Sequence, residues 1–101
     1  MQKGYVVAEI DVTDPETYRQ YMPLAQAAIA AHGGRYVVRG GDPQALEGER
    51  APQRFVVLEF DSREKAEAFY RSAQYQEAAA VRLRSSNSRV FLLTGAASPT
   101  G

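Results

Sequence analysis

Apolar and polar residues alternate with a period of two along "YVVAEID" (Tyr5 to Asp11) and again along "FVVLEFD" (Phe55 to Asp61). Laid over one another, the two stretches match at Val6/Val56, Val7/Val57, Glu9/Glu59 and Asp11/Asp61, a strand signature used twice. Each copy runs into a helix start. Thr13 or Asp14 can cap after the first, with Pro15 in the first turn and Glu16 able to close a capping box; Asp61 or Ser62 can cap after the second, with Glu64 following. From about Pro15 to Ala31 the period lengthens, and Tyr18, Tyr21, Met22, Ala25, Ala28, Ile29 and His32 fall on one helical stripe. Pro23 lies away from that stripe but deletes a backbone donor, so a bend is expected there. A second helix, from about Ser62, repeats the pattern with Ala66, Phe69, Tyr70 and Ala73, and "SAQYQEAAAVRLR" reads as a further helical stretch recapped at Ser72. Two more strands follow the helices: "GRYVVRG" (Gly34 to Gly40) and "SRVFLLTG" (Ser88 to Gly95).

The order β-α-β-β-α-β predicts an α+β fold of the ferredoxin-like kind, with two helices on one face of a four-stranded antiparallel sheet. One domain is expected over residues 1–95, with a disordered tail at 96–101, "AASPTG". The stretch "GDPQALEGERAPQ" between the second and third strands is turn-rich and too long for a tight hairpin. Alternation assigns Val6, Ala8, Ile10, Val56, Leu58 and Phe60 to the helix-covered face. The other face receives Tyr5, Val7, Glu9, Phe55, Val57 and Glu59, joined by Val37, Arg39, Phe91 and Leu93. That face is too apolar to meet water, and its cheapest partner is a second copy, so a homodimer through it is expected.

Charge narrows the partners. Twelve Lys plus Arg balance twelve Asp plus Glu, which leaves no global field for nucleic acid or an anionic membrane. The basic end "RLRSSNSR" lacks interleaved aromatics, which again argues against nucleic acid. The N-terminal apolar run is broken by Glu9 and Asp11, too short for a signal or a membrane span. With no cysteine in the chain, a soluble cytoplasmic protein is the expectation.

Gly4 to Gly95 resembles the domain of unknown function family numbered 1330, within the dimeric α/β-barrel superfamily. The residues that carry the resemblance are "GYVVAEIDVTDPETYRQY", "HGGRYVVRGG", "LEG" and "FDSREKAEAFYRSAQYQ", followed by Arg82. The resemblance implies a dimer of ferredoxin-like units and brings no established activity with it.

No nucleophile, metal or nucleotide motif is present, so candidate chemistry comes from single residues. His32 is the only histidine of the chain and ends the first helix, either as a packed or capping ring or as an acid-base group. One histidine without clustered acidic or thiolate ligands does not make a zinc site, and nothing supplies a haem motif, so no cofactor is expected. Arg39 offers a fork for a small carboxylate or else an ion pair; Arg35 reads as the ion-pair residue. Pseudo-symmetric pairing sets Glu9 opposite Phe55 and Glu59 opposite Tyr5, about 13 Å apart at ~3.4 Å per residue, too far for a catalytic pair. Either glutamate alone is a buried base with a raised pKa or, salt-bridged, is shifted the other way. Tyr18, Tyr21, Tyr36, Tyr70 and Tyr75 supply hydroxyls between helices and sheet. Arg82 falls on the stripe of Tyr75, Ala78, Ala79 and Leu83, and either snorkels to water or points into a cleft.

Three functional readings remain. One is a cofactor-independent enzyme on a small carboxylated or aromatic molecule, as in several barrel relatives, with His32 as acid-base group and Arg39, Tyr18, Glu59, Tyr75 and Arg82 as ligand-binding residues. The others are a non-catalytic ligand-binding dimer and a purely structural one.

Overall fold

A computed structural model describes residues 2–97. The expected tail therefore lies, from residue 98 onward, outside the described residues. The elements are β1 (Gly4–Val12), α1 (Pro15–Ala31), β2 (Arg35–Gly40), β3 (Arg54–Phe60), α2 (Arg63–Arg71), α3 (Ala73–Ser85) and β4 (Ser86–Thr94). The sheet runs in the order β2-β3-β1-β4 with every neighbouring pair antiparallel, which is the ferredoxin-like βαββαβ arrangement.

Local chemistry sets the boundaries. Asp14 caps α1 by accepting from the Thr17 amide at 3.2 Å, and Ser62 and Ser72 do the same for α2 and α3 at 3.1 Å each. Helix α1 runs unbroken through Pro23. It ends in a Schellman motif: the Gly34 amide donates to the Ile29 carbonyl at 2.9 Å and the Gly33 amide to that of Ala30 at 3.2 Å. Gly33 supplies the left-handed turn with φ at 72°, and any side chain at Gly34 would run into the Phe60 ring. The glycines after His32 therefore serve backbone geometry.

The core lies between the helices and one face of the sheet. Val6, Leu58 and Phe60 from the strands meet Ala28 and Ile29 of α1, Phe69 of α2, and Ala78 and Ala79 of α3. Small residues at 25, 28, 78 and 79 let α1 pack along α3. Leu83, expected on the inward stripe of α3, is 65% exposed instead. The expected register holds: Tyr5 pairs with Glu59 and Glu9 with Phe55.

Strand β2 departs from simple alternation. Its register against β3 slips between Tyr36 and Val38, so Val37 is an extra residue and Arg39 pairs with Val56. A one-residue bulge exchanges the faces of everything beyond it. Arg39, expected beside Val37 on the outer face, is thereby turned to the helix-covered side. Arg35, before the bulge, stays on the outer face opposite Glu59.

Candidate functional site

On the helix side, the pairing builds a floor of three rows. Arg54, Ile10 and Ser88 form the first, Arg39, Val56, Ala8 and Val90 the second, and Tyr36, Leu58, Val6 and Leu92 the third. Ala8, the smallest of these side chains, sits at the centre of the floor. Above it is a cavity of about 30 Å³, roofed by Tyr18, Tyr21 and Met22 of α1 and Tyr75 of α3, with Arg39 and Arg54 in its wall.

The polar groups around this cavity are tyrosines and arginines. The Tyr21 and Tyr75 hydroxyls share a 2.8 Å hydrogen bond, and the Tyr18 and Tyr21 rings stand 5.4 Å apart. Burial pushes the Tyr21 hydroxyl far up, with Tyr75 adding to it. Burial also raises Tyr18, against the pull of Arg54, and Tyr36, against the pull of Arg39. These phenols therefore keep their protons and act as hydrogen-bonding groups.

Three guanidinium groups approach the cluster. Arg54 lies 5.7 Å from the Tyr18 ring centre, and Arg39, at the exposed edge, lies 4.5 Å over Tyr36 with Gln26 Oε1 at 3.5 Å. Arg82 reaches in from α3 and is only 2% exposed, so it does not snorkel. Its Nη1 donates to Ser88 Oγ at 2.5 Å. The Nε atoms of both Arg54 and Arg82 are buried with no hydrogen-bond partner. Among the described residues, no carboxylate comes within 4.0 Å of Arg39, Arg54 or Arg82. A buried guanidinium without an acid is costly, and the usual remedy is an anion.

Other residues named from the sequence lie elsewhere. His32 is the residue at the end of α1, its Nδ1 2.9 Å from the Ala28 carbonyl and its ring edge-on to Phe69 at 5.9 Å. It does not line the cavity that holds Arg39, so the two form no joint site. Glu59 faces the opposite side of the sheet, where Tyr5 donates to it at 2.6 Å and Arg35 Nε at 2.7 Å. Those partners hold its carboxyl below the usual range, the reverse of a raised-pKa base. Tyr18, Tyr75 and Arg39 are the sequence candidates that line the cavity together; Arg82 stands beside Tyr75 without lining it. Arg54 was missed; its signal was alternation, which places it on the same stripe as Val56, Leu58 and Phe60. Among the described residues, no group of three or more His, Cys, Asp or Glu is placed to hold a metal ion.

The chain matches the family described as a domain of unknown function, DUF1330, over residues 3–96. It belongs to the DUF1330 family. No curated protein matches this DUF1330 chain. Among solved structures it resembles a protein of unknown function from Rhodopseudomonas palustris at 18% identity and a TM-score of 0.75, over 96% of this chain and 84% of that one. It also resembles SnoaB, a cofactor-independent oxygenase from Streptomyces nogalater, at 16% identity and a TM-score of 0.59, over 99% and 98% of the two chains. A third is a dimeric ferredoxin-like protein of unknown function from Thermobifida fusca, at 13% identity and a TM-score of 0.61, over 91% and 90%. At these identities the likeness concerns the fold. No helix among the described residues is long and apolar enough to cross a membrane.

Proposed function

We propose that this DUF1330 protein is a cytoplasmic, cofactor-independent enzyme on a small aromatic or otherwise apolar carboxylate, whose carboxylate group enters at the cavity between α1, α3 and the sheet, a space of about 30 Å³ that takes the head group and not a ring. The observation that carries the reading is the pair of buried, unpartnered Nε–H groups on Arg54 and Arg82 beside the Tyr21–Tyr75 hydroxyl pair. A carboxylate supplies the missing charge and accepts from both guanidinium forks. Arg39 stands at the edge, where an arriving anion meets it first. The tyrosine rings provide flat apolar contact, and the hydroxyl pair hydrogen-bonds a substrate oxygen. The fold shared with a cofactor-independent oxygenase supports the enzymatic form of the reading.

A second reading, non-catalytic binding of the same ligand, is favoured by the phenols that burial keeps protonated, since such groups hold a ligand without serving as bases. In both readings the protein works as a homodimer through the outer sheet face, where Val37, Phe91 and Leu93 are 54%, 38% and 46% exposed. The dimeric neighbour from Thermobifida fusca supports that assembly.

Native mass spectrometry of protein purified from its own cell extract tests the proposal. A co-purifying carboxylated small molecule that is lost in Arg82→Met is the expected result, and conversion of that molecule on incubation separates enzyme from binder. A ligand retained in full by Arg82→Met would refute the site.

A further inference from the structure

The loop between β2 and β3 is built as a standing arm. Gly40, Gly41 and Asp42 all take left-handed backbone, with φ of 83°, 71° and 45°, and swing the chain out of the sheet at the end of β2. The returning half is tied to β1 at Asp11. Its carboxylate accepts from Arg50 Nη2 at 2.6 Å and from the Gln53 amide at 2.9 Å, and Gln53 Oε1 accepts in turn from the Val12 amide at 3.0 Å. Arg50 and the Gln53 amide hold that carboxyl below the usual range, so the tie is charged near neutral pH. Asp11 lies on the outer face with Glu9, paired with Asn87 as Glu9 is with Arg89. Arg50 and Pro52 close a hollow of about 320 Å³ against Glu9, Asp11, Asn87 and Arg89, so the arm stands on the outer side of the sheet. Midway along it Leu46 is 90% exposed, more than any other large apolar residue described.

A leucine held in water by a tied loop gains nothing from burial within its own chain. The outer face, for its part, is a small platform. Strands of six to nine residues, ~4.8 Å apart with ~3.4 Å per residue, give it a flat footprint of about 500 Å² per copy. Two such platforms face to face bury about 1,000 Å², short of the ~1,200–2,000 Å² of a specific interface. An arm from each copy supplies the remainder. Resting on the homodimer proposed above, we infer that the loop at 41–53 is a dimerisation arm, with Leu46 of each copy seated on the apolar outer-face patch of the other, around Val37, Phe91 and Leu93. The Asp11–Arg50 tie sets the angle of the arm, and two-fold symmetry engages both arms at once.

Sedimentation equilibrium of the full chain, compared with Leu46→Ser, Arg50→Gln and Leu83→Ser, tests this inference. Leu83 is the control, 65% exposed on α3 and so on the helix side of the sheet. Leu46→Ser is expected to raise the dimer Kd about tenfold or more. Arg50→Gln, which unties the arm, should raise it by less, and Leu83→Ser should leave it unchanged. In mixed dimers of differently isotope-labelled unsubstituted copies, NMR contacts between copies from the Leu46 methyls to the Phe91 ring or the Leu93 methyls provide a readout independent of any variant. A dimer Kd that Leu46→Ser leaves unchanged, or that Leu83→Ser raises equally, would overturn the arm and leave the sheet-face dimer standing, as would contacts between copies that omit Leu46. A parent that stays monomeric would overturn both.

Discussion

The two faces of the sheet treat charge in opposite ways. On the outer face, Glu59 is held by Arg35 and Tyr5, and Glu9 has Arg89 at 3.8 Å. These contacts lie near solvent among exposed apolar residues, and the protein completes them itself. On the inner face, Arg54 and Arg82 carry buried Nε–H groups with no acceptor, under a roof of tyrosines. Completed pairs on an outer surface are what a structural face needs. Positive charge without a carboxylate partner in a buried layer lowers stability, and in the proposed function an anion supplies that partner. In the proposed function, the same amino-acid type, arginine, serves assembly on one face and recognition on the other.

The contrast breaks most visibly at Arg82. In Arg82→Met the buried charge is gone, so unfolding in urea is expected to match the parent or to exceed it by up to about 4 kcal/mol. Protection by a small apolar carboxylate, about 2.7 kcal/mol at 100 times its Kd, should vanish in the same variant. Stability and binding moving in opposite directions separates an anion site from a structural arginine.

On the outer face the largest expected effect is on assembly. Val57→Asp places a carboxylate in the middle of the apolar patch, and sedimentation at micromolar concentration is expected to change from dimer to monomer. The parent should bury ~1,200–2,000 Å² in that contact, the range of specific interfaces. A monomeric parent would remove the outer face from the account. Away from both faces, Asp14→Ala takes the cap from α1 and is expected to cost about 1 kcal/mol in urea unfolding without altering ligand affinity.

The smallest effect is a pH signature. The Tyr5 hydrogen bond and Arg35 lower the Glu59 pKa in the folded protein, so its stabilising contribution is complete above the unfolded carboxylate value and is lost as pH falls through the folded one. Stability curves of the parent and Glu59→Gln should run parallel near neutral pH and converge only below about pH 4.5. Convergence at higher pH would mean that Glu59 is a raised-pKa base after all.

Much of this arrangement is legible in the chain. The repeated strand signature fixes β1 and β3, and pseudo-symmetry gives their register, because alternation is unbroken in both copies. The bulge at Val37 is hidden for a physical reason: Val37 and Val38 are both β-branched and apolar, so either fits the outer face and no hydrophobic penalty marks the slip. Reading straight through it sends Arg39 to the wrong side of the sheet. Arg82 could be placed on the inward stripe of α3, but whether it reached water was a question of depth that spacing does not answer. His32 drew notice as the only histidine, yet its position at the helix end commits Nδ1 to the Ala28 carbonyl.

In the proposed function the inner arginines await an anion and the outer one does not. Side-chain Nε–Hε NMR spectra read this directly, since Arg35 Nε already donates to Glu59 at 2.7 Å while those of Arg54 and Arg82 have no acceptor. Titration with phenylbutyrate is expected to shift the Arg54 and Arg82 signals saturably with one shared Kd and to leave Arg35 in place. Equal small shifts in all three, or a saturable shift at Arg35 alone, would contradict the account.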